Sequence, residues 1–262
     1  MIMMIRRQNP YKKELENVIK REQKFLQSRQ EKRDNLLNRK ISEKVPQRLQ
    51  KTLNDMFYLA FLTVFEKGTG VIEKTYKREE MEKNFLINQY ADEIKNSKKT
   101  AKAFSKQAES AKVKNLMLSG VSGIGMGAFG VGIPDIPVFT GMVLKSIYEI
   151  ALSYGFEYET QKERYFILLL IQGAMSYGAD LKRLDCMINR FIEDEQLPEN
   201  YDKTEQMQSV SLTLSMELLY MKFLQGIPIV GAVGGAYDAI YINQISEYAN
   251  LKYKRRFLHK RI

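Results

Sequence analysis

The 262 residues are enough for one large or two small domains, and 44% hydrophobic content with a mean hydropathy of −0.36 argues for a globular protein over a polytopic membrane protein. One cysteine, Cys186, excludes an intramolecular disulfide, and with one histidine, His259, it excludes zinc sites of three or four Cys and His ligands; triads and dyads need a positioned histidine, and a Cys186–His259 dyad would require the basic C-terminus to fold back on a helix. The net charge of +10 sits at the ends: residues 1–51 hold 15 Lys and Arg against 6 Asp and Glu, and residues 252–261 add 6 bases and no acid, which points to an anionic partner.

Asn9-Pro10 starts a helix with Pro in its first turn, and the pattern runs to about Ile41. Its apolar stripe is thin, so residues 1–44 read as a basic helical arm, either a solvated amphipathic helix or one that docks on a membrane or partner. Val45-Pro46 restarts a helix with a core face at Leu49, Leu53, Met56, Phe57, Ala60, Val64 and Phe65, interrupted at Gly68 and Gly70 by a close-packing point or a kink. Val71 to about Tyr90 is helical again, and Ala91 to Asn115 reads as a polar helix. From Asn115 to Leu144 Asp135 is the one charge. Helices follow over Phe139–Tyr154, closed by Gly155 just past its end, and over Thr160–Gly178 and Asp180–Ile192. Glu193–Thr204 is a loop and Glu205–Gln225 a helix. A second neutral, glycine-rich segment opens at Gly226, and Tyr237–Phe257 ends the chain as a helix that turns strongly basic. No strand series or Asn-Gly hairpin is present. The fold class is mainly α: a compact multi-helix bundle over 45–262 with two glycine- and proline-rich helical-hairpin segments and the N-terminal arm.

Gly125-Met-Gly-Ala-Phe-Gly130 spells G-x-G-x-x-G, but no strand precedes it and Pro134 stops any helix that follows, so no nucleotide or other cofactor is expected. The glycines read instead as close-packing positions: Gly123, Gly127, Gly130, Gly132 and Gly141 in the first segment, and Gly226, Gly231 and Gly235 in the second. An offset of 94 aligns Gly132-Ile133-Pro134 with Gly226-Ile227-Pro228, Gly141 with Gly235 and Tyr154 with Tyr248, as if two related units faced each other. The neutral run fits a buried core, an interfacial or re-entrant hairpin, or a span. Asp135, between Pro134 and Pro137, is a candidate helix cap or, with Tyr148, part of a pocket. Glu163, Glu157, Glu159, Glu193 and Glu195 read as first-turn or solvated charges. The C-terminal bases Lys252, Lys254, Arg255, Arg256, Lys260 and Arg261, interleaved with Tyr253, Phe257 and Leu258, are candidate contacts to an anionic membrane surface; nucleic acid ranks below, since no nucleic-acid fold signature accompanies the charge.

Three stretches together resemble the EcsC family: residues 123–137, Ile147-Tyr-Glu-Ile-Ala-Leu-Ser-Tyr-Gly-Phe156 with Glu163-Arg164, and residues 222–236 with Ile245-Ser-Glu-Tyr-Ala249 and Tyr253 to Leu258. The resemblance covers roughly 45–260 and leaves the arm outside. It implies a mainly helical protein of undefined function, no catalytic residues to carry over, and membrane-linked work, since the family's namesake is encoded beside an ABC transporter.

The sequence therefore reads as a non-enzymatic accessory protein, cytoplasmic and peripheral at the inner face of the membrane, with an anionic lipid surface or a membrane transporter as partner. The alternatives are a small-ligand protein or enzyme with a pocket between the two Gly-Ile-Pro units, and nucleic-acid binding by the basic ends. Oligomeric state is not legible.

Overall fold

The computed structural model describes residues 10–30, 45–67, 70–95, 97, 99–111, 136–224 and 235–262. Among these every regular element is a helix: α1 (Pro10–Ser28), α2 (Gln47–Lys67), the single turn α3 (Gly70–Glu73), α4 (Arg78–Lys95), α5 (99–111), α6 (Ile136–Ser153), α7 (Gln161–Met175), α8 (Gly178–Asp194), α9 (Lys203–Leu224) and α10 (Gly235–His259). The mainly helical reading holds. The glycine positions 123, 127, 130, 132, 226 and 231, Asp135 and both Gly-Ile-Pro units lie outside the described residues, as does residue 31 to 44 of the arm.

Local chemistry sets several boundaries. Pro10 opens α1, where its missing N–H costs nothing. The Thr160 hydroxyl caps α7 by accepting from the Glu163 N–H at 3.1 Å. Asp202 caps α9 in the same way, its Oδ1 accepting from the N–H groups of Thr204 and Glu205 at 2.7 and 3.2 Å. The long polar helix read over 91–115 is instead two helices with an elbow between them. There Ser97 and Thr100 cap reciprocally, each hydroxyl accepting the other residue's N–H at 3.0 and 3.3 Å. Gly155 ends α6 as expected. Its φ is +77°, its N–H donates to the Leu152 carbonyl, and the Phe156 N–H donates to the Ala151 carbonyl, both at 3.0 Å.

α6 is the inner helix, packed against α2, α4 and α10. It is also long and apolar enough to cross a membrane, with a mean hydropathy of 1.3, but 78% of it is buried within the protein. In the described part of the neutral run Ile136, Phe139, Val143 and Leu144 are core, while Pro137 and Val138 face outward. α10 packs on α1, α6, α7 and α8. The α6–α10 contact is polar at its centre, where the hydroxyls of Ser146 and Ser246 meet at 2.6 Å and Tyr154 donates to Asn250 at 2.8 Å. The helices that follow the two glycine segments thus lie against each other.

The described part of the arm lies against the bundle. α1 buries Tyr11 and Val18 and packs on α10. The Gly178 N–H donates to the Arg29 carbonyl at 2.9 Å, and the Arg29 guanidinium lies 3.9 Å from the centre of the Tyr177 ring. The thin stripe suffices because two of α1's acids, Glu14 and Glu22, also find partners inside the fold. Gly70 likewise marks a break between helices; among the described residues nothing lies within 4 Å of a Cβ built there, and the same holds at Gly141.

Candidate functional site

The basic end of α10 turns inward. Bases at 252, 254, 255 and 256 step about 100° each around a helix and so face different neighbours. Lys252 is fully buried, its ammonium 2.7 Å from Asp185 of α8, 3.3 Å from Glu22 of α1 and 2.9 Å from the Asn189 side-chain carbonyl. Lys254 pairs with Glu14 at 3.1 Å and Arg255 with Glu22 at 2.8 Å. Arg256 donates to both oxygens of Glu163, at 2.9 and 2.7 Å, and to Glu195 at 2.9 Å, with its guanidinium 4.2 Å from the centre of the Phe156 ring. Lys260 joins Glu195 at 2.7 Å, and Arg261 reaches Asp92 at 3.2 Å. All six bases named as contacts to an anionic surface are ion-paired within the fold, with the Lys260 side chain still 49% exposed. A base withdrawn from water requires a carboxylate, and α1, α4, α7, α8 and the loop after α8 supply them.

The acids read as solvated change role accordingly. Glu163 is buried, and burial raises its carboxyl above the usual range against the opposing pull of Arg256 and Tyr253. Glu195 ends α8 in the left-handed region, with φ 51°, where glycine is usual. Partial burial there is outweighed by Lys260 and Arg256, which hold its carboxyl below the usual value. Glu157 receives the Arg78 guanidinium at 2.6 Å.

Tyr148 is fully buried and stacks on Tyr158, ring centres 4.1 Å apart. Its hydroxyl has no hydrogen-bond partner among the described residues, and burial pushes the phenol well up. Beside it, Tyr158 donates to Glu73 at 2.5 Å and accepts from Tyr76 at 2.7 Å and from Arg78 at 3.2 Å. Glu73, Tyr76, Arg78 and Tyr158 are thus held in mutual contacts. Tyr148 lines none of the cavities described below, and the pocket expected between the Gly-Ile-Pro units lies outside the described residues.

Two surfaces remain that the sequence reading did not single out. Between α2 and α6 runs an apolar groove of about 750 Å³, lined by Met56, Leu59, Val64, Val138 and Met142 among others, with Lys145 the one charged lining residue among the described residues. Lys145 is ion-paired to Glu149 at 3.2 Å. On α4 a stripe of large apolar side chains faces outward: Leu86, Ile87, Tyr90 and Ile94 are 62, 55, 68 and 63% exposed. Their spacing places them within one 100° arc, while Asp92, on the opposite face, is buried. The helical period was legible. Which face is inside was not, because the inward side of α4 is marked by Phe85 and a buried acid rather than by its most apolar residues.

Comparison with known proteins decides the family. The profile of the EcsC protein family matches residues 11–258. The chain belongs to the EcsC protein family. The match begins inside α1, so the arm as described is part of the family domain, in agreement with its packing. Two relatives come from Bacillus subtilis (strain 168). The protein named EcsC is 25% identical over 227 residues, covering 84% of this chain and 83% of its own. The uncharacterized protein YdbA is 26% identical over 129 residues, so the match spans about half of each chain, 49% of this one and 47% of YdbA. No solved structure matches. The Ala151 to Phe156 turn, quoted above as part of the family resemblance, has a clear physical basis in this EcsC protein: a Cβ on Gly155 would lie 2.2 Å from the ring of Phe85.

Proposed function

We propose that this EcsC-family protein is a non-enzymatic accessory that docks peripherally on the inner face of a membrane, with the outward stripe of α4 as its contact. The observation that carries the reading is the exposure of Leu86, Ile87, Tyr90 and Ile94 on one face of one helix. Isolated exposed apolar residues are ordinary, but four large ones on a single arc make a patch of the kind that marks interaction surfaces. A helix lying in the interface plane buries such a face at the headgroup boundary, and tyrosine suits that depth because its ring is apolar and its hydroxyl wet. This moves the contact from the charged tail, whose bases serve the fold, to an apolar face elsewhere. A membrane transporter as partner is the finer form of the same reading, with the stripe meeting protein rather than lipid.

Co-sedimentation with liposomes tests the proposal. The full chain should pellet with vesicles, and Leu86→Glu with Ile94→Glu should abolish pelleting, while Leu212→Glu on α9, a similarly exposed leucine, should not. Equal pelleting by all three proteins removes the α4 face as the contact.

The groove between α2 and α6 favours a second reading, a small-ligand protein. A cavity of about 750 Å³ with mostly apolar walls has the size and polarity for an acyl chain. Native mass spectrometry of the purified protein should then show a copurifying lipid that Ala60→Trp displaces; identical spectra from the two proteins dismiss it.

A further inference from the structure

The flank of α4 beside the stripe carries a second feature. Between α1, α4 and α5 lies a cleft of about 790 Å³. Five lysines line it, Lys95, Lys99, Lys102, Lys106 and Lys254, against two glutamates, Glu14 and Glu109. Glu14 is taken by Lys254 at 3.1 Å, which leaves four lysines facing one glutamate among the described lining residues. Lys99, Lys102 and Lys106 fall at i, i+3 and i+7 and share one face of α5. No ion pair joins any of these four lysines to an acid among the described residues. They differ in this from the bases of α10, each of which has a carboxylate partner.

Like charges gathered on a concave wall repel one another, and an anion entering between them relieves the repulsion. The lysines are carried on two helices, Lys95 at the end of α4 and Lys99, Lys102 and Lys106 on α5. The elbow between α4 and α5 is closed by the Ser97–Thr100 pair, and the Thr100 hydroxyl donates to the buried Asp92 carboxylate at 2.6 Å. Asp92 also accepts from Tyr11 and pairs with Arg261. Side chains presented from helices lower the ordering cost of binding. Ammonium groups are compact point charges suited to phosphate oxygens. The cleft exceeds a single phosphate and has room for a headgroup or a small phosphate ester. Ala91 and Lys95 belong to its wall, and the stripe's Ile87 and Ile94 lie one turn and one residue from them along α4.

We propose that this cleft is a binding site for the phosphate of an anionic ligand, whether a phospholipid headgroup or a free phosphate ester. In its lipid form the inference rests on docking through α4, with chains against the stripe and phosphate against Lys95, Lys99, Lys102 and Lys106.

The test compares the full chain with a triple variant, Lys99→Gln, Lys102→Gln and Lys106→Gln. These exposed changes keep helix propensity, and circular dichroism checks that the fold is retained. Three probes are used: phosphatidylcholine vesicles, the same vesicles with phosphatidic acid added, and glycerol 3-phosphate in solution followed by calorimetry. At about fivefold per lysine near an anionic surface, the triple variant should lose roughly a hundredfold in affinity for the acidic vesicles and little for the neutral ones. If acidic vesicles are preferred but glycerol 3-phosphate does not bind, the source is lipid. If glycerol 3-phosphate binds saturably and the variant abolishes it while no vesicle is bound, the cleft stands with a soluble ligand and membrane docking fails. An unchanged preference for acidic vesicles in the variant, with no glycerol 3-phosphate binding by the full chain, overturns the site. So does tighter, lysine-dependent binding of a single-stranded oligonucleotide, which would make the cleft a nucleic-acid contact.

Discussion

Replacing Lys252 by alanine separates a structural role of the α10 bases from a membrane role. The ammonium is fully buried between two carboxylates, Asp185 at 2.7 Å and Glu22 at 3.3 Å. Its removal leaves Asp185 with the Tyr248 hydroxyl at 2.7 Å and the Asn189 amide at 2.8 Å, and Glu22 with Arg255 at 2.8 Å. Both acids keep hydrogen bonds, yet two buried negative charges lose the cation between them. Breaking a buried pair in this way costs about 3–5 kcal/mol, a large part of the roughly 5–15 kcal/mol typical of a folded domain. Urea denaturation followed by circular dichroism should show the midpoint falling accordingly. Lys252→Met with Asp185→Asn, which removes charge of both signs, should recover a large part of the loss. Vesicle binding by whatever fraction remains folded should be unchanged. A Lys252→Ala protein with the wild-type midpoint and weakened vesicle binding would refute the reasoning, because it would make Lys252 an accessible lipid contact.

Other expectations follow from single contacts. Gly155→Ala places a methyl against the Phe85 ring at a φ of +77°; left-handed backbone costs about 1–2 kcal/mol and overpacking about 1–3 kcal/mol, and adding Phe85→Ala should relieve the second part only, as read by a double-mutant cycle in urea. Thr160→Ala removes the cap of α7 and should lower stability by about 1 kcal/mol; a change below the error of the denaturation curve means that the cap contributes nothing. Glu195 has its carboxyl held low by Lys260 and Arg256, so it binds protons less readily folded than unfolded. Its contribution is present above the ordinary glutamate value near 4.5 and fades as pH falls through the lower folded value. Glu195→Gln should therefore flatten the acid limb of the stability profile, and superimposable acid limbs contradict the assignment.

The order and kind of the elements were readable before any coordinates because they depend on neighbours in sequence. Apolar residues at three and four define α2, and Gly155 stands where a helix must turn left-handed; each is decided within a few residues. The division of the stretch after Tyr90 into two helices was missed because the Ser97–Thr100 elbow contains neither proline nor glycine. Family membership was also legible, since the Ala-Leu-Ser-Tyr-Gly turn and its spacing to the glycine segments are local patterns.

What the chain does with its charge was decided only in three dimensions. The run Lys252 to Arg261 has the composition of a membrane-seeking tail. Composition cannot show that Glu14, Glu22, Asp92, Glu163, Asp185 and Glu195, drawn from five other parts of the chain, converge on it. Conversely, Lys99, Lys102 and Lys106 look like any solvated helix face until α1 and α4 are seen to form the other walls of their cleft. Leu86, Ile87, Tyr90 and Ile94 look like core until Asp92 is found occupying the buried side. Helical periodicity is a short-range property and is written in the sequence. The pairing of a charge, or the exposure of an apolar face, is a property of whichever distant segment comes to lie against it.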